Sequence, residues 1–235
     1  MPKRKAATVD FDDEKSVLRA MAKELEFEAD EIESSDRFKI KESHYSSFTG
    51  DTYWLIEIGS QEYYVAKNND SAYDLAVAMV KQDLEENPEI FNQSFIEGHI
   101  DMKRLRDQLW SDTLNSNHEY YREMSDGDLK REVEGRLNLD EEEFLDEDGE
   151  FKDVDEIVEK LAEDLTEEQL KEPMDYLEDI FGKEDAVKKA IEIAGIDEDA
   201  AAEEAVDTDG MGHFLSPYDG EYHEGPDGII WWRHN

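Results

Sequence analysis

The chain has no cysteine. That absence excludes disulfides, thiolate metal sites and a cysteine nucleophile. It is also short of positive charge, with 25 Lys and Arg against 65 Asp and Glu and a net charge of −40. A chain so charged repels free nucleic acid and anionic membrane, and its natural partners are basic surfaces. No stretch approaches about 18 consecutive apolar residues, so no membrane-spanning helix is expected. The basic start, Met1-Pro-Lys-Arg-Lys-Ala-Ala-Thr8, is followed by Asp10 to Lys15 where a secretory signal needs an apolar run. Together these absences lead to the expectation of a cytoplasmic protein.

Catalytic and cofactor signatures are missing as well. There is no G-x-G-x-x-G, no G-x-x-x-x-G-K-[ST] and no G-x-S-x-G. Carboxylate pairs are so abundant that none singles out an acid–base site. A calcium loop around Gly149 would begin at Phe144 and end at Asp155, and one around Gly210 would begin at Ala205 and end at Ser216. Neither supplies the acid at position 1 and the bidentate Glu at position 12. The six His (44, 99, 118, 213, 223 and 234) form no H-x-x-x-H pair. His213 and His223 could meet across a C-terminal hairpin beside Asp219 or Glu221, as a metal or acid–base pair or simply as packed histidines. The expectation is a non-enzymatic protein with no cofactor, no metal site and no catalytic residue.

What is present is acid, in one place above all. Asp140 to Asp209 holds 30 Asp and Glu against 6 Lys in 70 residues, a net of −24. Apolar residues recur through it at helical spacing: Val154, Ile157, Val158, Leu161 and Leu165, then Leu170, Met174, Leu177, Ile180 and Phe181, then Val187, Ile191 and Ile193. Ordered helices hold their carboxylates in fixed places. Lys (16) outnumbers Arg (9), and the last 26 residues carry few acids, which leans against salt adaptation as the origin of the charge. Ten Phe, ten Tyr and four Trp mark a folded chain rather than a disordered polyanion.

Residues 1–12 read as a flexible basic arm. An amphipathic helix is expected from Asp13 to about Ile32. The alternating Phe38–Lys41 and the β-rich runs 53–58 and 62–66 read as strands, the latter two joined by a Gly59-Ser60 type II′ turn. Asn68 to Asp70 caps a helix to about Glu86, ended by Asn87-Pro88. Phe91, Phe95 and Ile96 look like a core-anchored connector. Helices follow at about 101–114 and 126–137, the latter capped from Ser125. The acidic stretch reads as three or four short helices, with starts near Asp153, at a Thr166-Glu-Glu-Gln169 capping box, at Lys183 and at Asp197. Pro173 either kinks the second or opens a new helix. Residues 210–235, with Phe214–Tyr218, Glu221–His223 and Ile229–Arg233, read as a β-hairpin whose last strand docks onto the sheet. The fold class is therefore α+β: a small antiparallel sheet of three or four strands among many short acidic helices. Its parts are the arm, an α+β domain over 13–139, an acidic helical segment over 140–209, and the 210–235 hairpin completing the α+β domain.

Two functional readings of the aromatic and acidic residues follow. Tyr53, Trp54, Tyr63, Tyr64, Trp231 and Trp232 are either a base-stacking platform or, lacking accompanying Lys and Arg, the core of a sheet. The acidic helices are either a solvated face or a phosphate-like array. B-DNA presents one charge per ~1.7 Å of axis, and a helix rises ~1.5 Å per residue, so two packed helices with an acid at every second or third position approach duplex charge density. On that reading Glu141, Glu142, Glu143, Asp146, Asp148, Asp153, Glu156, Glu159, Glu163, Glu167 and Glu168 replace phosphates on a basic host protein, an enzyme or defence complex that binds nucleic acid. No direct nucleic-acid or membrane contact is expected, and the reading leaves room for a homodimer. The rival readings are a virion or assembly component and a small enzyme of unknown reaction.

Two stretches carry a resemblance. They are Tyr53 to Ala66 with the following helix and Ile90-Phe-Asn-Gln-Ser-Phe-Ile96, and Gly212-His-Phe-Leu-Ser-Pro-Tyr-Asp-Gly-Glu221 with Trp231-Trp-Arg-His-Asn235. Together, over about a third of the chain, they resemble a group of acidic proteins encoded by tailed bacteriophages and prophages. The resemblance implies a phage origin and a small α+β fold closed by the C-terminal hairpin, and it carries over no activity and no site residue. Phage-encoded acidic proteins include antirestriction DNA mimics, to which this chain is similar in charge alone.

Overall fold

The computed structural model describes residues 9–26, 38–137, 139 and 144–235. The arm up to residue 8, the expected helical residues 27–32 and the candidate acids Glu141, Glu142 and Glu143 lie outside the described residues. Two units emerge, one of residues 1–87 with 198–235 and one of residues 88–197. The first is called here the sheet unit and the second the helical unit. These divisions do not fall at 139/140 and 209/210, where the change in composition placed them. The acidic stretch is shared: its last helix belongs to the sheet unit and the rest to the helical unit. The helical unit carries 35 acids against 13 bases, a net of −22, and the sheet unit 30 against 12, a net of −18. Acidity that looks local along the chain is nearly even between the units.

In the sheet unit, Asp13 accepts from the Lys15 amide and starts α1, Glu14–Glu24. Its buried Val17, Ala20 and Met21 pack with Trp54, Ile56, Ile58, Tyr63, Val65 and Ile229. Phe11 joins this cluster at 7% exposure and accepts a 2.9 Å hydrogen bond from Trp54 Nε1. The residues just before α1 are thus docked rather than part of a free arm, because a buried indole N–H needs an acceptor and the Phe11 carbonyl provides it.

Among the described residues the sheet has five antiparallel strands in the order β1-β2-β3-β5-β4: β1 Phe38–Glu42, β2 Trp54–Ile58, β3 Gln61–Ala66, β4 His223–Glu224 and β5 Ile230–Arg233. Ile58 faces Gln61 across a two-residue loop, and Gly59 takes φ +65° there, as the first position of a type II′ turn demands. Alternation sends Trp54, Ile56, Tyr63 and Val65 toward α1. Leu55, Tyr64, Ala66, Ile230 and Trp232, on the other face, are buried too, so both faces are covered. A short α2, Ser46–Thr49, leads into β2. Asn68 caps α3, Asn69–Glu86, by accepting from Ser71 N at 2.9 Å. The Ala72, Leu75, Ala76, Val80 and Leu84 side of α3 is buried, and α3 packs against β3, against α10 (Glu198–Asp209) and against α11 (Met211–Leu215).

Helix α11 corrects the expectation of a strand at Phe214–Tyr218. Helical spacing puts Met211 and Leu215 on one side, and both are buried. The ladder expected of a hairpin is made by the two-residue β4 with β5. On β3's other side, His234 donates to Glu62 O at 2.9 Å and Asn235 Oδ1 accepts from Glu62 N at 2.8 Å, extending the docking of β5.

In the helical unit a 3-10 turn, Pro88–Ile90, leads to α4, Gln93–His99, capped by Asn92. Asp101 caps α5, which runs from Met102 to Arg122, eight residues beyond the expected end at Leu114. It continues because Asn117 and Tyr121 extend its buried side. Ser125 caps α6, Asp126–Glu132, which passes into a π-helical turn, Val133–Leu137. Asp153 caps α7, Val154–Gln169. Pro173 opens α8, Pro173–Phe181, and Gly182 at φ +82° turns the chain into α9, Lys183–Ala194. The core around Tyr121, Leu129, Val133, Phe144, Leu145, Ile157, Val158, Leu161 and Ala162 joins α5, α6, α7 and the loop between them.

The expected helix start at Thr166 is overturned. Thr166 is fully buried inside α7, and its hydroxyl donates to the Ala162 carbonyl at 2.6 Å. The apolar stripe Ile157, Leu161, Leu165 continues through Thr166 to Leu170, and burying it against α5 outweighs the local capping option. One helix therefore carries the acids that the sequence divided between two.

Candidate functional site

Helix α7 is acidic because its buried side is already full. Ile157, Val158, Leu161, Ala162 and Thr166 face inward, and the acids Asp155, Glu156, Glu159, Glu163, Asp164, Glu167 and Glu168 are all exposed. Acids four residues apart, Glu159, Glu163 and Glu167, stand about 6 Å apart along the axis and form a ridge. Like charges at that spacing oppose the helix by about 0.2–0.5 kcal/mol per pair. The packed inner side carries that load.

Most of the α7 acids meet a cation. Those of α5 and the π turn reach four of them: Arg122 lies 3.9 Å from Asp155, Arg106 lies 3.8 Å from Glu167, and Arg136 lies 3.6 Å from Asp164 and bonds Glu168. Glu156 pairs with Lys160 of its own helix at 2.9 Å. Glu159 and Glu163 have no cation in ion-pair range among the described residues. These pairs are exposed and individually weak, yet they leave Glu159 and Glu163 at the centre of the uncompensated charge.

The other candidate acids have local work. Asp146 accepts from the Asp148 and Glu150 amides, both at 2.9 Å, and so shapes the turn that carries Asp148. Phe144, Leu145 and Phe151 anchor that turn in the core, and Lys130 donates to its Gly149 carbonyl at 3.1 Å. Asp153 spends its carboxylate on the Glu156 amide, at 3.1 Å. Asp146, Asp148 and Asp153 are exposed. The structure thus places eight of the eleven candidates on α7 and the loop before it, within one unit.

A cleft that the acids did not signal lies between α5, α6 with its π turn, and the end of α7. It measures about 380 Å³ and is lined by Asn117, Tyr120, Tyr121, Glu132, Arg136, Leu165 and Gln169. Arg136 donates from Nε to Glu132 at 3.0 Å. The bond to Glu168, foremost among its partners, holds the Arg136 guanidinium more firmly charged than a free arginine. Asn117 Nδ2 donates to Thr166 Oγ1 and to Gln169 Oε1, each at 2.9 Å. Burial pushes the Tyr121 phenol up to about 12; Arg136 opposes the shift and Glu132 adds to it. A signal existed in the sequence: Asn117 occupies a core position of α5, four residues before Tyr121.

The aromatic residues resolve toward the core reading. Tyr53, Trp54, Tyr63, Tyr64 and Trp232 are buried, and Trp231 is half-buried, so the six present no stacking platform. His213 sits in α11 beside Phe214, and His223 stacks on Trp231 at 4.2 Å. Among the described residues no group of three or more His, Cys, Asp or Glu is placed to hold a metal ion, and no helix is long and apolar enough to cross a membrane.

Compared with protein-family models, with curated proteins and with solved structures, the chain matches none.

Proposed function

We propose that this chain is a non-enzymatic interaction protein that engages a basic, nucleic-acid-binding surface of another protein, its carboxylates standing in for phosphates. One observation carries the reading. Glu159 and Glu163, flanked by Glu156 and Glu167, are exposed on a helix whose opposite side is locked in a core, and the first two have no compensating cation among the described residues. A fixed row of uncompensated carboxylates costs stability at every pair and attracts any cationic surface. Asp146, Asp148 and Asp153 extend the charge beyond the helix start. The partner is a host enzyme or defence complex that binds DNA or RNA, and the setting is the cytoplasm of a cell infected by a phage encoding this chain. The protein needs no cofactor for this role.

The test is capture from host lysate on the immobilised protein. A nucleic-acid-binding enzyme is expected, released by high salt and by duplex DNA, and retained less well by the Glu159→Gln/Glu163→Gln/Glu167→Gln variant. Capture indifferent to salt, to DNA and to the variant would sink the reading. A monomer or dimer in solution agrees with it; a ring or larger assembly favours a virion component.

A further inference from the structure

A second cleft of the helical unit reverses the sign of its surroundings. It measures about 450 Å³ and lies between α4, the start of α5 and the link from α7 to α8. The unit has 35 acids and 13 bases, yet this wall carries three bases, Lys103, Arg106 and Lys171, against two acids, Glu97 and Glu172. The bases do not serve as counter-ions. Lys103 and Lys171 make no ion pair with any described residue. Arg106 reaches Glu167 only at 3.8 Å, in an exposed pair that contributes little. Glu97 accepts from Gln93 of its own helix at 2.8 Å, and Glu172 has no cation in ion-pair range among the described residues.

Helix chemistry does not ask for these bases either. Helices α6, α7, α9 and α10 place acids in their first turns, where the helix dipole favours negative charge. Behind its cap, α5 has no acid there and carries Lys103 and Arg104 instead. Lys103 and Arg106, three residues apart, share one side of α5 and repel. In a chain so short of bases, three of them gathered at one hollow against local electrostatics point to an anionic ligand. Geometry narrows its class. The bases come from two segments, α5 and the α7–α8 link, and meet at one concavity. A carboxylate brings one charge, whereas a phosphoryl group brings about two and three acceptor oxygens, enough for all three cations. The volume is that of a small-ligand site, and Met102 and Met174 give it an apolar wall for the body that carries the phosphate. A nucleic-acid polymer fits poorly. Arg106 and Lys171 also line a neighbouring hollow with Asp164, Glu167 and Glu168, so a chain of phosphates leaving the cleft on that side meets carboxylates.

We infer that this cleft binds a small molecule through its phosphoryl group, which Lys103, Arg106 and Lys171 hold together. The net charge of the chain does not prevent it. At physiological salt, exposed charges more than about 8 Å away are largely screened, so the three nearest cations decide. The site does not depend on the basic partner proposed above, and the two stand or fall separately.

The experiment is calorimetric titration of the full chain in phosphate-free buffer at about 0.1 M sodium chloride, with inorganic phosphate, adenosine 5′-monophosphate, adenosine and acetate. Saturable binding of phosphate and of the monophosphate is expected, none of adenosine, and binding of acetate weaker by about ten-fold or more. A monophosphate that binds more tightly than phosphate assigns the cleft to a phosphorylated small molecule; equal affinities keep the site and assign it to free phosphate. Lys103→Gln/Lys171→Gln should weaken both by roughly ten-fold or more and melt no lower than the wild type, since neither lysine has an ion pair to lose. Lys67→Gln/Lys183→Gln removes the same charge at exposed positions outside the cleft and should bind as the wild type does. No saturable binding of phosphate or monophosphate overturns the inference. So does acetate binding as tightly as phosphate, unchanged binding by the cleft variant, or an equal loss in both variants, which would mean that net charge alone is felt. Lysate capture reads the acidic ridge and this titration reads the cleft, so failure of one leaves the other untouched.

Discussion

The Asn117 side-chain amide donates to the Thr166 hydroxyl at 2.9 Å, and that hydroxyl in turn donates to the Ala162 carbonyl at 2.6 Å. This two-step relay ties α5 to α7 inside the core of the helical unit. It also explains why a residue type suited to helix starts sits in the middle of a helix. Asn117→Ala removes both of its bonds and leaves a void. A loss of about 2–4 kcal/mol is expected from unsatisfied partners and cavity together, read from urea denaturation. In a double-mutant cycle, Thr166→Val should couple to it by about 0.5–2 kcal/mol; additive losses would show that the relay does not act as one.

The acidic ridge is expected to oppose the fold it sits on. Glu159→Gln/Glu163→Gln/Glu167→Gln should raise stability by about 0.5–1 kcal/mol at low salt, two like-charge pairs being relieved, and the gain should vanish at about 1 M salt, where the Debye length is roughly 3 Å. The same variant should bind basic partners more weakly with a shallower salt slope. Stability and binding moving in opposite directions is the signature; a destabilised variant would place these carboxylates in structural roles.

Gly212 lets another backbone come close. A Cβ built there would lie 2.5 Å from the Gly220 carbonyl oxygen, far inside contact distance, although Gly212 itself has ordinary helical geometry. Gly212→Ala should cost about 1–3 kcal/mol by overpacking. Gly127→Ala, in open space on α6, should be neutral or stabilise by up to about 1 kcal/mol. Thermal melts of the pair separate steric closeness from mere loss of a helix glycine.

Asp219 gives a pH-dependent contribution of defined sign. The Glu221 amide, first, and the Ser216 hydroxyl, second, hold its carboxyl below the usual range, with His223 and Arg233 adding to the effect. A carboxyl whose pKa is depressed on folding stabilises the protein above its unfolded value of about 3.9 and loses that contribution as pH falls through the folded value. With 65 carboxylates, acid also relieves repulsion throughout the chain, so the whole-protein profile is not diagnostic. The difference in melting temperature between wild type and Asp219→Ala is. It should be largest near neutral pH and shrink below about pH 4; a constant difference would assign Asp219 no linkage.

Net charge itself should be visible in the melting curve. At −40, self-repulsion is screened as salt rises, and the melting temperature should climb steadily from low to molar sodium chloride. A flat profile would mean that the local ion pairs, such as Arg136 with Glu132 and Glu168, already neutralise the field.

Much of this molecule could be read from residue order. Trp54–Ile58, Gly59-Ser60 and Gln61–Ala66 announce a hairpin because β-branched and aromatic residues flank a turn that only Gly enters easily. Asn68, Asp101, Ser125 and Asp153 each cap the helix that follows, because a cap is decided within four residues, whereas the connector expected at Phe91–Ile96 is a helix capped by Asn92. The misreadings arose where local and distant preferences compete. Thr166 has the chemistry of a cap and the burial of a core residue, and Phe214–Tyr218 has strand-like residues but helical partners. Among the candidate acids, the exposed stripe on α7 was legible from the apolar spacing beneath it. The pairing of Asp155, Asp164, Glu167 and Glu168 with Arg122, Arg136 and Arg106, all distant in sequence, was not.

The sequence by itself determined the charge, the absence of thiol chemistry, the α+β class and most element starts, since these depend on composition and on neighbours within a turn or two. The tertiary structure decided that the acidic stretch from Asp140 to Asp209 belongs to two units, and that five of the seven carboxylates of α7 meet a cation while Glu159 and Glu163 meet none among the described residues. Those outcomes depend on which side chains burial brings together from far along the chain, and short-range periodicity does not encode that.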